Sequence, residues 1–411
     1  MSRSPTVKPP LASAFVLVAS TLLGCTVAPA DGADPSASQS SELAAPCAAA
    51  SSGDHYQFLD DVCHVKAAPS NHDRAWRCPN VATSAPAYQP ASAPVTVDDA
   101  ALVGIVPSSV HATVILVRRV QGVPHYKYLS NGTHDVAIEP LSSTKFMAVA
   151  NAATRLRAAS HGAVGLDSSV DGIPVGDLVT IITSYQESLF SSNGLARYFH
   201  DVGGRTQANA LIHDWLHRPA TETFGGNYGA PSADLGFTFE GAAGSVSVVP
   251  ALTGSYANHL STLTMAEFLK RLALHREDAA TRLPGIQWKD LDVLFYGAPA
   301  STLFPAQKLG GMSDDTAIYV QQALDMHALD ARSHGAWRIF SKLGFGTSGF
   351  VHNSYTCAPS LDAHGAPVPG DGVEFVISMQ APRTGTERGQ DAQIAAMYRD
   401  LVRRIYDHRL E

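Results

Sequence analysis

The β-strand signals of this chain lie near both ends of its main part, with helical patterns between them. His111–Val120 (HATVILVRRV) is rich in β-branched residues and flanked by Gly and Pro, which predicts a strand. Tyr126–Ser130 predicts a second strand that ends at an Asn-Gly turn signal. Much later in the chain, Trp337–Lys342 and Val373–Gln380 also have strand character. One sheet assembled from both ends of the chain, in a mixed α/β (α+β) fold, is therefore predicted.

Helical patterns occupy the middle of the chain and return at its C-terminal end. Ser142–Ala159 is Ala-rich and begins with serine, and Arg205–Leu216 also has helical spacing. Thr264–Leu274 opens with Thr and Glu at capping-box spacing. In Gly389–His408 the apolar residues recur on one face. These segments predict helices that cover the sheet.

The N-terminal segment has the features of an export signal. Arg3 and Lys8 precede an apolar stretch, Leu11–Leu23, that is too short to span a membrane. The stretch ends in Leu-Gly before Cys25, which resembles the lipobox of bacterial lipoproteins. That resemblance implies cleavage before Cys25 and acylation of this cysteine, so that acyl chains anchor the protein to a membrane. Thr26 follows the cysteine, which favours an outer-membrane lipoprotein facing the periplasm.

Composition divides the rest of the chain. After a signal peptide of residues 1–24, residues 25–54 are rich in Ala, Ser, Pro and Gly and predict a flexible tether. Residues 55–95 form a small cysteine-containing arm with a Pro-rich linker, and residues 96–411 form the main domain. With 29 Lys plus Arg against 37 Asp plus Glu, the chain lacks the positive charge that a nucleic-acid surface needs.

Four cysteines remain after Cys25, and their even number in an exported chain predicts two disulfides. Three connectivities are possible for Cys47, Cys63, Cys78 and Cys357. A Cys63–Cys78 bond would close a local loop, and a Cys47–Cys357 bond would tie the arm to the main domain. The absence of close CxxC pairs argues against a metal site made of cysteines.

Three short motifs occur in an informative order. SSTK (142–145) is an S-x-x-K motif at a predicted helix start, SSN (191–193) is an S-x-N motif, and KLG (342–344) approximates K-[ST]-G. This set resembles the serine β-lactamase and penicillin-binding protein superfamily, and class A β-lactamases in particular. The resemblance spans roughly residues 98–411. It implies an antiparallel sheet flanked by helices, with an all-helical subdomain inserted between its N- and C-terminal strands.

Acyl-transfer chemistry gives the motif residues their roles. A serine needs a nearby base to become a nucleophile, and positions i and i+3 share one helix face, so Lys145 can serve Ser142. Lysine acts as a base when burial or a second cation such as Lys342 lowers its pKa. By resemblance, Ser191 relays a proton to the leaving nitrogen and Asn193 holds the substrate amide. The resemblance also places the K-[ST]-G glycine, Gly344, beside the substrate, and implies an oxyanion hole from the N–H groups of Ser142 and Phe345.

One departure from the family pattern concerns the substrate. Leu343 replaces the hydroxyl residue that binds the substrate carboxylate in the family, and Thr347 or Ser348 is a candidate substitute. Arg383-Thr384-Gly385 is a weaker rival for the K-[ST]-G motif, because it follows the last strand.

A second departure concerns hydrolysis of the acyl-enzyme. The glutamate that activates water in class A β-lactamases, four residues before an asparagine, has no counterpart between residues 217 and 262. Glu240 is the remaining candidate for the deacylation base.

The sequence therefore predicts a lipid-anchored periplasmic serine hydrolase, most similar to class A β-lactamases. A D,D-peptidase, transpeptidase or esterase of the same fold is the first alternative, and a catalytically inactive binding or scaffold lipoprotein is the second. The expected partners are a small or peptidoglycan-derived acyl substrate and, through the anchor, a membrane. We expect a monomer without cofactor, metal or nucleic acid. His213 and His217 have the spacing of a helical zinc pair but lack the glutamate that zinc proteases require.

Overall fold

The computed structural model describes residues 78, 80–82, 84–184, 189–250, 256–305, 310–313, 319, 323, 326–361 and 367–411. The predicted signal peptide (1–24), the predicted lipidation residue Cys25 and the predicted tether (25–54) lie outside these residues, as do Cys47 and Cys63. Within the described part, no helix combines the length and the hydropathy needed to cross a membrane.

Strands form most of the two ends of the described chain. They are β1 (Val81–Ala82), β2 (Gln89–Pro90), β3 (Val97–Asp98), β4 (His111–Val120), β5 (Val123–Ser130), β6 (Ser169–Val170), β7 (Ile173–Pro174), β8 (Thr223–Phe224), β9 (Thr238–Gly241), β10 (Gly244–Ser247), β11 (Asn258–His259), β12 (Arg338–Gly346), β13 (Gly349–Leu361) and β14 (Pro367–Pro382).

Helices lie mainly between β5 and β12. They are α1 (Lys145–Ala159), α2 (Val175–Ser184), α3 (Ser192–Gly203), α4 (Arg205–Ala210), α5 (Thr262–Ala273), α6 (Trp288–Tyr296), α7 (Met326–Ser333) and α8 (Glu387–Tyr406). Short 3-10 turns cover Leu141–Thr144, Ala279–Thr281 and Gly311–Ser313.

The main sheet joins the two ends of the chain. Its order is β12-β13-β14-β4-β5-β2, and β1 and β3 add short parallel pairings beside β4 and β5. Strand β4 is antiparallel to β5 on one side and to β14 on the other, so that Ile115 lies between Tyr128 and Val376. The predicted fold class, an antiparallel sheet built from N- and C-terminal segments and flanked by helices, is confirmed. The inserted part is not all-helical as predicted, because it also contains a four-stranded sheet, β10-β9-β6-β7, and the pair β8-β11.

Both faces of the sheet are covered. Ile115 packs with Phe146 of α1 in one hydrophobic core, and the next residue, Leu116, packs with Tyr398 and Leu401 of α8 in the other. A strand that is buried on both faces favours an unbroken apolar run, which explains the sequence of β4. The site described below lies on the α1 face.

All four predicted helices differ from the structure at their ends. The helices predicted over Thr264–Leu274 and Gly389–His408 each begin two residues earlier, with Ser261 and Thr386 as N-caps, so the capping box predicted at Thr264 is wrong. The segment predicted as one helix over Arg205–Leu216 is α-helical only to Ala210 and continues as a π-helical turn over Leu211–Trp215. Asn209 bonds both the N–H and the carbonyl of Phe224, which fixes the chain where the helix changes pitch. The helix predicted from Ser142 begins with the 3-10 turn and becomes α-helical at Lys145.

The disulfide differs from both pairings considered above. Cys78 bonds Cys357 on β13, with a Cα–Cα distance of 5.8 Å, so a Cys63–Cys78 or a Cys47–Cys357 bond is wrong. The reason is local pairing, because β1 runs beside β4 and Asn80 donates to the carbonyl of Val117 at 2.6 Å. These contacts hold Cys78 at the end of the sheet where Cys357 lies. Part of the Pro-rich segment, in β2, likewise pairs with β5.

Candidate active site

The turn that carries Ser142 has an unusual backbone. Leu141, directly before Ser142, has a φ of +54°, a left-handed conformation that is rare for a branched side chain. Such strained residues concentrate at functional sites. Ser143 is buried and donates to the carbonyl of Pro140 at 2.6 Å, whereas Ser142 is partly exposed. Of the two neighbouring serines, Ser142 therefore presents the accessible hydroxyl.

Lys145 connects the first two motifs. It opens α1, and its side chain is buried, with 2% of the residue exposed. Its Nζ donates hydrogen bonds to Ser192 Oγ and to Asn193 Oδ1, both at 2.6 Å. The structure thus brings S-x-x-K and S-x-N together, as the chemistry requires.

The two serines of the S-x-N motif have different environments. Ser191 is exposed and caps α3, where its Oγ accepts a hydrogen bond from the N–H of Gly194 at 3.1 Å. Ser192, the first residue of the helix, is 6% exposed and bonds Lys145. The sequence analysis missed Ser192. Because Ser191 and Ser192 are both good N-cap residues, the sequence did not indicate which of them would face Lys145.

The third motif lies on β12, against the Ser142 turn. A Cβ added to Gly344 would lie 2.7 Å from Ser143 N, 2.8 Å from Pro140 O and 2.9 Å from Ser142 N. Only glycine permits this approach of two backbones. The backbone of Gly344 therefore runs beside the N–H groups of Ser142 and Ser143.

Lys342 and Leu343 point into different surroundings. Lys342 is buried, and its Nζ donates to the carbonyl of Leu343 at 3.1 Å. Leu343 is 1% exposed and belongs to the core on the α8 face, away from the Ser142 turn. The pleat of β12 thus removes position 343 from the site.

The neighbouring strand supports the turn. Asn353, which pairs with Lys342 across β12 and β13, donates from Nδ2 to the carbonyl of Ser143 at 3.3 Å. Its Oδ1 accepts from Ser378 on β14 at 2.7 Å. Asn353 is a second residue that the sequence analysis missed, because no motif marks it.

A buried histidine, His352, lies close enough to Lys342 for their charges to interact. His352 lies between the rings of Tyr319 and Tyr398 at centroid distances of 4.8 and 5.0 Å. Burial, with a smaller contribution from the Lys342 charge, lowers the pKa of His352 to about 3. The imidazole is therefore neutral at pH 7 and adds no positive charge beside Lys342.

Glu240, the predicted deacylation base, and Glu222, another acid between residues 217 and 262, lie in different surroundings. Glu240 is exposed on β9, where it pairs with Ser169 of β6, and it lines a surface pocket of about 350 Å³ with Asp167. Glu222 is buried and accepts hydrogen bonds from the backbone and side chain of Ser261, so it anchors the start of α5.

The candidate hydroxyl and the rival motif lie at the far end of β12. Ser348 donates to Glu139 Oε2 at 3.1 Å and accepts, through its carbonyl, from the N–H of Arg383. The guanidinium of Arg383 pairs with Glu387 and lies 5.8 Å from the Phe345 ring centroid. Arg383 therefore stabilises the start of α8 and borders the stretch that carries Phe345.

The histidine pair does not form a metal site with other described ligands. His213 Nε2 lies 2.8 Å from the carbonyl oxygen of Glu222, and His217 has a φ of +56° just after the π-helical turn. Within the described part of the chain, no three His, Cys, Asp or Glu side chains are grouped so that they could hold an ion.

Comparisons with known proteins give structural matches only. No family model and no curated protein sequence match the chain. The β-lactamase from Sphaerobacter thermophilus DSM 20745 matches at 14% identity, with 74% of this chain and 96% of that chain covered and a TM-score of 0.39. An ancestral (GNCA) class A β-lactamase matches at 15% identity (72% and 95% covered, TM-score 0.40), and PBP-A at 14% (76% and 97%, TM-score 0.38).

Proposed function

We propose that this protein is a serine hydrolase that works through an acyl-enzyme, with Ser142 as the nucleophile. The observation that carries the proposal is the arrangement around Lys145. A buried amine, three residues after an accessible serine on a strained turn, bonds the S-x-N motif at 2.6 Å. Burying a lysine amine costs free energy, so its burial beside an accessible serine and the S-x-N motif favours a functional role.

The proposed reaction begins with attack of Ser142 Oγ on an amide or lactam carbonyl carbon. The hydroxyl proton moves to the Lys145 amine, and the N–H groups of Ser142 and Phe345 bind the negative carbonyl oxygen. The tetrahedral intermediate collapses, the C–N bond breaks, and the leaving nitrogen takes a proton delivered through the S-x-N hydroxyls. Water then attacks the ester, which releases the acid and restores Ser142.

Within this class we propose a β-lactamase-like activity, with a D,D-peptidase, transpeptidase or esterase as the alternative. One observation favours the alternative instead, because the surroundings of Glu222 and Glu240 favour slow deacylation. Glu222 is bound to Ser261, and Glu240 lies on the separate β9 sheet. An acyl-enzyme that hydrolyses slowly is typical of the alternative.

The test uses a fluorescent penicillin on the full chain, followed by gel fluorescence and intact-protein mass spectrometry. We expect one adduct on the wild type and none on Ser142→Ala. Ser143→Ala is the matched control, because its hydroxyl bonds Pro140 and not the cleft. An adduct that persists in Ser142→Ala would refute the nucleophile, and its lifetime would separate β-lactamase from peptidase behaviour.

We also propose that the protein is a periplasmic lipoprotein, anchored through Cys25 and acting on a small or peptidoglycan-derived substrate. Labelled palmitate should enter the wild-type chain and not Cys25→Ser. Equal labelling of both would contradict the anchor.

A further inference from the structure

The buried amine of Lys145 bonds the second serine of the S-x-N motif. Ser192 Oγ lies 2.6 Å from Lys145 Nζ, and its own proton is directed to the carbonyl of Ile182 on α2 at 3.4 Å. Ser192 thus lies between the end of α2 and the start of α1. Its hydroxyl fixes the amine relative to both helices.

The first serine is used differently. Ser191 Oγ accepts from the N–H of Gly194, and the residue is exposed at the N-cap of α3. A capping hydroxyl satisfies a helix N–H that otherwise lacks a partner. Ser191 therefore faces the solvent side of the helix start, while Ser192 and Asn193 face Lys145.

We propose that Ser192 is a positioning residue that aims the Lys145 amine at the Ser142 turn, a role separate from that of Ser191. The inference rests on the proposed function, because a positioned base matters only if Ser142 is acylated. The physical reason is the burial of Lys145. An ammonium that is 2% exposed is stable only with acceptors at hydrogen-bond distance, and each acceptor also restricts where the amine lies.

Loss of the Ser192 oxygen has two consequences for Lys145. One acceptor of the charged form disappears, so the titration midpoint of Lys145 moves to lower pH. The amine also becomes less well aimed, so acylation slows at every pH. A serine that merely filled space would change stability and leave the titration of Lys145 where it was.

The first experiment follows the lysine directly. The chain has eight lysines, so ¹³C-lysine labelling gives a simple spectrum in which the resonance lost in Lys145→Gln identifies Lys145. We expect the midpoint to fall by about half a pH unit or more in Ser192→Ala. Ser168→Ala is the matched control, because Ser168 is also 6% exposed and also donates to a backbone carbonyl, that of Gly165.

The second experiment measures the rate of acylation by fluorescent penicillin against pH. Ser192→Ala should acylate about 10- to 100-fold more slowly at pH 7, with its acidic limb shifted to lower pH. Ser192→Thr, which keeps the oxygen, should recover most of the rate. Ser192→Cys, of nearly the same volume but with a weakly accepting sulfur, replaces alanine if that variant fails to fold.

The outcomes distinguish a failure of the positioning role of Ser192 from a failure of the proposed acylation of Ser142. If the midpoint of Lys145 in Ser192→Ala or Ser192→Cys equals that in Ser168→Ala, the positioning role is wrong, whatever the acylation rate. If the wild type forms no adduct, penicillin recognition fails, and the lysine titration alone still decides the contact. A lower titration midpoint of Lys145 together with slower acylation in Ser192→Ala supports both the positioning role and the proposed function.

Discussion

At Gly344, strand β12 lies directly against the turn that carries Ser142. Replacing Gly344 with alanine tests whether this contact matters for acylation. The added Cβ would meet three backbone atoms, Ser143 N, Pro140 O and Ser142 N, at 2.7–2.9 Å. Ordinary contacts begin at 3.4 Å, so strand and turn must separate by about 0.5–0.7 Å. None of the three atoms can rotate away, because all belong to the backbone.

This separation would displace the N–H groups of Ser142 and Phe345, which are proposed to bind the negative carbonyl oxygen together. Loss of one oxyanion donor costs about 2.7–4 kcal/mol, or 10²–10³ in rate. We therefore expect acylation of Gly344→Ala to fall by about 100-fold, with a loss of stability of about 1–3 kcal/mol from overpacking. Stopped-flow fluorescence with a penicillin probe gives the rate, and urea unfolding gives the stability.

Gly346→Ala is the control from the same strand. Its Cβ would meet the tip of the Leu141 side chain at 2.7 Å, and a leucine tip can rotate. We expect its acylation to stay within about fivefold of the wild type, since the two backbones keep their distance. If Gly344→Ala acylates as fast as Gly346→Ala, the contact between β12 and the turn does not form the oxyanion site.

Three further predictions follow from the same structure. Cys357→Ser should lower the free energy of unfolding by about 2–5 kcal/mol in urea titrations without reductant, because the bond from Cys78 closes a long loop; unchanged stability would contradict the pairing. Leu343→Thr should bury an unpaired hydroxyl and destabilise the protein by about 1–3 kcal/mol, with no faster acylation, because the residue lies in the α8-side core; faster acylation at equal stability would place it in the site. The pKa of His352 is lowered to about 3. Between its unfolded value near 6.5 and about 3, the unfolded chain binds a proton that the folded chain does not, so the stability falls as the pH falls. His352→Gln should reduce this dependence of stability on pH by up to about 1.4 kcal/mol per pH unit, measured by urea unfolding at pH 5 and 6.5.

The large divisions of the fold were predictable from the sequence. The β-branched runs and the helical spacing are local signals, and the core face of α8 follows from its periodicity. The contact of Lys145 with Asn193 was not predicted, because the resemblance assigned Asn193 only to the substrate amide.

Details that depend on a shift of one residue were not predictable. Whether Ser191 or Ser192 faces Lys145 depends on which serine caps α3, and both are good caps. Whether Leu343 faces the site depends on the pleat of β12, which inverts with a shift of one position. The disulfide depends on the pairing of β1, a strand of two residues with almost no signal of its own.

The pairing of β4 with β14 has a consequence for how the protein acquires activity. Ser142 and Gly344 come together only after the C-terminal strands have joined a hairpin formed far earlier in the chain. Contacts of such long sequence separation form slowly, since a long loop must close first. On the proposed mechanism, the onset of acylation therefore reports the completion of folding. A chain that has formed its helices but not its main sheet holds Ser142 and Lys145 without β12, which the proposed reaction requires.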